Sequence, residues 1–374
     1  MGTTSSDASS TGTITVTKET LVADIEGDVT GDVTGNVTVN GLLKMPSNTA
    51  GKVLVGDGTS YEEVAISGDV SLASSGAVTI SANAVEGSML NDNVISGQTA
   101  LTSDLARHAS KKALFSAGIS ADQVDIIVLA TTTPDETFPA TATTLQAQLG
   151  MTKGVAFDIQ AVCAGFVFAI NIAKSMMLAN NYNKALIIGS EVFSNILDWK
   201  DRSTCVLFGD GAGAIVLEKT NAPGWGILTS NIHSDGDFID ILYTDGGPGT
   251  TGLVGKVRMN GKEVFKHAVE KLSACTLEAL EEVNFAIDDV DFFIPHQANE
   301  RIIDTLAKKL KITESKIIKT VSIHANTSAA SIPLAMHKAY EDGLIKNGSV
   351  ILVQAIGSGL SWGASIIKFG KPRA

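Results

Sequence analysis

The chain has 374 residues, of which 44% are hydrophobic and 18% charged, with a net charge of −12. That length accommodates two or three domains with a large buried core. The charge lacks the clustered Lys and Arg of a nucleic-acid footprint, and no run of 18 uncharged apolar residues predicts a membrane span. The first residues are rich in Ser, Thr and Gly, without the basic start and apolar stretch of a secretory signal. Cys163, Cys205 and Cys275 form no close-spaced pair, so a reducing compartment, the cytoplasm, is expected.

Residues 1–101 differ from the rest. They hold twelve acidic side chains against three lysines and no Cys, His, Arg, Trp or Phe, with Tyr61 the one aromatic. Without large side chains such a piece builds little core. A tetrapeptide recurs at Gly27-Asp-Val-Thr, Gly31-Asp-Val-Thr and Gly35-Asn-Val-Thr, with echoes at Gly68-Asp-Val-Ser and Gly76-Ala-Val-Thr. Val and Thr favour strands, and Gly with Asp or Asn favours turns. Two readings stand: a flexible, partly β linker, or a fibrous β segment stabilised by other chains. The repeats, with the run Ser96-Gly-Gln-Thr-Ala-Leu, resemble phage tail-fibre or other virion structural sequence.

From Thr102 onward the pattern is that of a globular α/β protein. A helix is predicted over Leu105–Ala117, ended by Gly118, then a strand over Val124–Ala130, apolar throughout as for a strand covered on both faces. Helix Ala140–Leu149, strand Val155–Ile159, helix Gly165–Leu178 and strand Lys184–Ile188 follow. After Gly224 the alternation restarts with helix Val264–Val283, strand Val290–Ile294, helix Asn299–Leu310, and strands near Ile317–Ser322 and Val350–Ala355. Such alternation implies mainly parallel sheets, and two similar halves imply internal duplication. The organisation expected is a segment 1–101, a first half 102–219 and a second half 220–374.

Three residues carry the expected chemistry. Cys163 lies between a strand and a long apolar helix, whose N-terminal dipole and free amides favour a thiolate. Taken alone, a cysteine there reads first as a small buried hydrophobe. His296 follows an apolar strand and precedes an amphipathic helix, and Asn326 also follows a predicted strand. Carboxyl ends of strands are where α/β sites form. Singly, these two read as a structural histidine and a turn residue; three groups at strand ends point to one shared edge. The glycines at 209–213 are followed by no Lys-Ser/Thr, so no phosphate loop is expected. The remaining histidines lack metal spacing, so no metal is expected.

Cys163 in Ala-Val-Cys-Ala-Gly-Phe, Pro295-His-Gln-Ala-Asn299, the segment His324–Pro333, Gly357-Ser-Gly-Leu-Ser-Trp-Gly363 and Phe208-Gly-Asp-Gly-Ala-Gly-Ala214 together resemble β-ketoacyl-[acyl carrier protein] synthase III over about 270 residues. The resemblance implies a thiolase fold, a duplicated five-layer αβαβα arrangement, in a homodimer that starts fatty-acid synthesis. It would condense acetyl-CoA with malonyl-acyl carrier protein and need no cofactor beyond these substrates. It implies that Cys163 is the nucleophile, that His296 and Asn326 stabilise the enolate, and that the backbone amides of Cys163 and Gly359 form an oxyanion hole. Arg202 would pack near the coenzyme A adenine; Asn299, Ile302 and Phe265 would line the pantetheine tunnel. Phe138 would shape the partner subunit's acyl pocket, and Arg301, with Lys308 and Lys309, would dock the acidic carrier protein.

Two departures stand out. Ser358 occupies the middle of what is usually a glycine triplet, a change expected to be tolerated. The family's opening strand and helix, which bear a tryptophan and an arginine that sandwich the adenine, have no counterpart, and Trp199, Trp225 and Trp362 lie in other motifs. An unpaired sheet edge, lower stability and weaker coenzyme A binding are the expected consequences. The competing expectation is an inactive truncated thiolase-fold domain fused to a phage-type structural segment.

Overall fold

Strands that are apolar on both faces need cover on both faces, and the larger part of the chain is built around that need. A computed structural model describes residues 52–56, 61–65, 70–72, 78–80 and 101–371. The chain divides into two units, Met1–Ala84 and Val85–Ala374.

In the smaller unit, β1 (Lys52–Gly56) pairs antiparallel with β2 (Tyr61–Ala65), and β3 (Val70–Leu72) with β4 (Val78–Ile80). The strands β3 and β4 each open on the valine of an echo, Val70 and Val78, as a β-branched residue favours. The repeats at Gly27, Gly31 and Gly35, and the run from Ser96 to Ala100, lie outside the described residues.

The first half of the larger unit runs α1 (Thr102–Ala117), β5 (Ile126–Ala130), α2 (Thr141–Gln148), β6 (Val155–Ile159), α3 (Gly165–Asn180), β7 (Lys184–Glu191) and β8 (Gly211–Glu218). Gly118 closes α1 in the left-handed conformation, its N–H directed to Leu114 and Phe115. The second half runs β9 (Gly226–Ser234), β10 (Leu242–Thr244), β11 (Val257–Met259), α4 (Gly261–Glu282), β12 (Phe292–Pro295), α5 (Glu300–Leu310), α6 (Val321–His324), α7 (Ser331–Glu341), β13 (Val350–Gly357) and β14 (Ser361–Lys368).

The sheets have the orders β6-β5-β7-β8 and β12-β13-β14-β9. In each, a parallel pair (β5 with β7, β12 with β13) is followed by an antiparallel neighbour (β8, β14). This is the predicted duplication. The sheets differ at one end: β14 is followed by β9, whereas β8 ends its sheet among the described residues.

Alternation along the strands sorts the core into layers. Ile126, Val128, Ala130 and Ile187 face the middle of the molecule together with Ile294, Ile351, Val353 and Ala355 of the other sheet, and α3 and α7 fill the space between. Ile127, Leu129, Leu186 and Ile188 face outward onto α1 and α2. Phe293, Leu352 and Ile366 face outward onto α4 and α5. The result is the five-layer αβαβα stack of the thiolase fold.

A middle-layer helix touches apolar strands on two sides and must be apolar nearly all round. That accounts for Val162–Asn180, the one helical run among the described residues long and apolar enough to cross a membrane, half of it buried here. No such run was expected from the sequence, because Lys174 interrupts it.

The strand predicted at Ile317–Ser322 is not formed. Ile317 makes an isolated parallel bridge to Phe293, and the chain then turns into the short helix α6, so Asn326 follows a helix. Two isoleucines supply too little apolar length for a strand before Lys319, which turns to the carboxylates of Glu300, Asp304 and Glu314.

The two halves meet without room to spare at Gly189 on β7, where an added Cβ would lie 2.2 Å from the Ala329 carbonyl oxygen. Gly189→Ala is expected to destabilise the chain by about 1–3 kcal/mol and to lower the midpoint of urea unfolding. An unchanged midpoint would show that the contact relaxes freely.

Candidate functional site

Cys163 sits in a single 3-10 turn, Val162–Ala164, between β6 and α3. Val162, which precedes it, is held at φ 49°, a left-handed conformation that a β-branched residue rarely adopts. Ala325 (φ 57°) and Ser328 (φ 50°) are also at positive φ and flank Asn326. Strain of this kind persists where surrounding structure over-determines the backbone.

One short segment, Asn326–Ser331, brings the three predicted residues together. Asn326 is held by its backbone: its N–H donates to the Leu207 carbonyl at 2.9 Å, and its carbonyl accepts from Gly209 N–H at 3.0 Å. Its side-chain oxygen accepts from Ser328 N–H at 3.0 Å, which leaves the amide nitrogen as a donor. Two residues on, the Ser328 hydroxyl lies beside the Cys163 thiol and favours its ionised form. Three further on, Ser331 Oγ lies 2.6 Å from His296 Nδ1. Cys163, His296 and Asn326 are all buried, at 4%, 4% and 5% exposure, so their polar atoms answer to neighbouring protein groups, the serines of this segment among them, rather than to bulk water.

Burial decides the protonation states. It pushes the His296 imidazole down to about 3, so the ring is neutral at physiological pH. Ser331 Oγ accepts from Gln297 N–H at 3.3 Å, and its own O–H is then free to donate to Nδ1. With that O–H directed at Nδ1, the ring proton sits on Nε2, the tautomer in which Nε2 is a donor. Burial also pushes the Cys163 thiol up to about 12, with the Glu191 charge adding to the rise. The thiolate expected from the helix N-terminus is therefore not the resting form: desolvation outweighs the local amide and hydroxyl contacts.

Glu191, at the carboxyl end of β7, was not anticipated. It is fully buried, and burial raises it to about 6. Oε2 accepts from Thr132 N–H at 3.0 Å, Thr133 Oγ1 at 2.8 Å and Thr131 Oγ1 at 3.3 Å, while Oε1 has no partner at hydrogen-bond geometry. Ser328 Oγ likewise lacks a partner at full geometry, yet it stands close enough to Glu191 to favour the carboxylate. The available signal was a lone carboxylate at the end of a strand whose middle, Ala185–Ile188, is apolar; Ser328 and Ser331 lie inside the His324–Pro333 motif.

The Gly357–Gly359 turn joins β13 to β14. An added Cβ on Gly357 would lie 2.9 Å from Cys163 N, so this turn rests on the Cys163 backbone. Ser358, in place of the usual glycine, donates its hydroxyl to the Leu242 carbonyl. Its side chain thereby ties the turn to β10.

The predicted substrate contacts fall in different settings. Asn299 caps α5 by accepting from Ile302 N–H at 3.0 Å, and Ile302 is buried in the outer core against α4. Phe265 packs at the margin of that core. Arg202 is exposed in the turn after Asp201, and Phe138 is 81% exposed. Arg301, Lys308 and Lys309 are exposed on α5. Elsewhere, donor atoms of His233, Cys275 and Glu278 lie within 4.8 Å of one another; the His233–Glu278 contact at 2.9 Å accounts for part of that closeness.

A duplicated five-layer fold with a buried cysteine, imidazole and carboxamide around one segment defines a thiolase-type acyl-transferring enzyme. Comparison with known proteins narrows the class. Family models described as 3-oxoacyl-[acyl-carrier-protein (ACP)] synthase III match residues 157–236, and its C-terminal part residues 280–369. The chain is 54% identical over 271 residues to the β-ketoacyl-[acyl-carrier-protein] synthase III of Rhodospirillum centenum, covering 72% of this chain and 84% of the relative. It is 51% identical over 289 residues to that of Erythrobacter litoralis, covering 76% and 89%. The crystal structure of the Aquifex aeolicus synthase III superposes with a TM-score of 0.69 at 41% identity, over 73% of this chain and 86% of that one. The Thermus thermophilus enzyme gives 0.70 at 37% identity, over 75% and 88%. The chain belongs to the β-ketoacyl-[acyl-carrier-protein] synthase III family of acyltransferases.

A carboxyl raised by burial is protonated in the folded chain while the unfolded chain has already ionised. The stability it contributes is full below its ordinary value of 4.5 and is lost as pH rises through about 6. A glutamine at 191 can keep the three accepted hydrogen bonds on its oxygen and turn its amide toward Ser328. Glu191→Gln is expected to stabilise the chain at pH 7.5 by up to about 2 kcal/mol, the margin vanishing below pH 4.5. Urea unfolding of both forms at the two pH values checks the sign.

Proposed function

We propose that the chain performs a decarboxylative Claisen condensation, joining acetyl-CoA to malonyl-acyl carrier protein to give acetoacetyl-carrier protein and so starting fatty-acid synthesis. The observation that carries this reading is the Asn326–Ser331 segment, which engages Cys163, Asn326 and His296 within six residues.

Cys163 takes the acetyl group from the coenzyme A thioester. The backbone amides of Cys163 and Gly359 receive the developing oxyanion, a role supported by the turn that rests against Cys163 N. Malonyl thioester then binds with its carbonyl oxygen toward His296 Nε2 and Asn326 Nδ2. As carbon dioxide leaves, charge builds on that oxygen, and donors already oriented by Ser331 and Ser328 stabilise it where it forms. The carbanion attacks the acetyl-cysteine. No cofactor takes part beyond the two substrates.

In the remainder of the reading Arg202 contacts the coenzyme A adenine, and Asn299, Ile302 and Phe265 shape the pantetheine path. For Asn299 and Ile302 this is indirect, through the start of α5 that they cap and anchor. Phe138, exposed in the single chain, enters the partner's pocket in a homodimer. Arg301, Lys308 and Lys309 meet the acidic carrier protein. The enzyme works in the cytoplasm, and its two catalytic halves, 102–219 and 220–374, follow a passenger segment, 1–101, whose repetitive sequence is that of a fibre-like piece or a linker.

Incubation with acetyl-CoA is expected to add one acetyl group to Cys163 by mass spectrometry, and Cys163→Ser to abolish it. His296→Ala is expected to leave acetylation in place and slow carbon dioxide release from malonyl-carrier protein by about 10²–10³-fold. Equal loss in both steps would remove His296 from its assigned role. Arg301→Glu is expected to raise the KM for carrier protein about tenfold while kcat and the KM for acetyl-CoA hold, since a docking charge acts on encounter rather than chemistry. Steady-state kinetics with each substrate varied in turn reads this out.

A further inference from the structure

The condensation leaves one proton unassigned. When Cys163 is acylated its S–H proton must go somewhere, and the resting group is a thiol. His296 is a poor acceptor, since its ring is held to a low basicity by burial and its Nδ1 is engaged by Ser331.

On the side of β7 stands a buried acceptor that the condensation does not otherwise use. Glu191 is fully buried, with three donors gathered on Oε2 and none on Oε1. Buried carboxylate oxygens are ordinarily satisfied, so an orphan marks a group waiting for a donor. Ser328 Oγ, likewise without a full partner, stands beside both Glu191 and the Cys163 thiol. The approach depends on Gly189, two residues before Glu191, whose missing side chain lets the 328–330 turn lie against β7.

Resting on the reading above, we propose that Glu191, through the Ser328 hydroxyl, accepts the Cys163 proton as the thiol is acylated. The Cys163 sulfur forms its bond to the acyl carbon and the bond to the departing thiol breaks. The S–H proton passes to Ser328 Oγ as that hydroxyl's own proton moves to Glu191 Oε1. The carboxyl then returns the proton along the same path to the leaving thiolate, so one S–H is consumed and one is made.

The groups that face Glu191 support this assignment. From the loop after β5 come the Thr131 and Thr133 hydroxyls and the Thr132 N–H; Asp135 on the same loop accepts instead from Ser103 N–H at the start of α1. From the turn before α3 comes the Cys163 thiol, which feels the Glu191 charge directly. From the segment before α7 comes Ser328.

The test is the pH dependence of Cys163 acetylation by acetyl-CoA, measured on the full chain by rapid quench and mass spectrometry. In the parent the rate should rise through about pH 6, where Glu191 ionises. Glu191→Gln and Ser328→Ala should each slow acetylation at pH 7.5 by about 10²-fold and lose that rise, and Glu191→Asp should restore an inflection. A glutamine variant that acetylates at the parent rate with the parent's pH profile overturns the proposal. So does one that acetylates faster, which would make the carboxylate a mere repulsive charge. Iodoacetamide alkylation of Cys163 over the same pH range separates this from failure of the condensing reading. Where acetyl-CoA does not acylate the parent, an inflection near pH 6 that the Gln variant lacks still supports the relay, and its absence in both overturns it.

Discussion

The approach of one backbone to another at Gly189 and Ala329 governs the rest of the site. A sheet strand and a turn can come this close only where no Cβ intervenes, and the position calculated for one on Gly189 is 2.2 Å from a carbonyl oxygen. Through that gap the second half reaches across to the first. Gly213 on β8 repeats the device, since a Cβ there would meet Pro333 and Leu334 of α7. Gly357 repeats it a third time against the Cys163 turn. The geometry of the candidate site is thus a consequence of three missing side chains at places where the halves interlock, rather than of the site side chains' own reach.

Polar groups taken out of water into such a seam must be matched or they cost stability. Gln297, fully buried, shows how that is met. Its Nε2 donates to the Pro295 and Ile318 carbonyls at 2.7 and 3.2 Å, and its Oε1 accepts from Thr320 and Val321 N–H at 2.7 and 3.1 Å. One amide therefore ties the end of β12, which carries His296, to the chain leading into α6 and on to Asn326. His296 N–H is fixed in turn to the Gln354 carbonyl of β13 at 2.7 Å. With neighbours held this way the donors need no rearrangement as charge develops, which is where electrostatic catalysis gains most.

The larger features of this arrangement were legible in the residues, and the failures have physical causes. Runs of strand-favouring residues such as Val155–Ile159 and the Gly118 stop are written in side-chain type and backbone freedom, so β6 and the end of α1 fall where expected. Strand β8 was passed over because its start, Gly211-Ala-Gly-Ala214, owes its small residues to the packing of α7 and carries no apolar period. In β9 and β14 the polar residues Asn231, His233 and Ser365 break the same signal. The family resemblance pointed to Cys163, His296 and Asn326, which the fold gathers, but the ionisation expected at Cys163 depends on how completely the helix end is buried. Desolvation is a property of the folded surroundings, absent from local sequence, and it also hid Glu191.

Burial that makes Cys163 reluctant to ionise is, for His296, what suits it to the proposed reaction. An imidazolium beside a nascent carbanion would be acidic enough to hand over its proton and end the condensation as simple decarboxylation. A ring held down to about 3 stays neutral, and its Nε2–H can stabilise the enolate oxygen without surrendering the proton to carbon. The Asn326 amide, whose oxygen is committed to Ser328 N–H, offers a second donor that does not titrate at all. In the proposed reaction, two neutral donors on one side and a carboxylate linked to the thiol through Ser328 on the other would divide the chemistry by charge. The negative group would then serve where a proton must be removed, and the uncharged ones where a carbanion must survive.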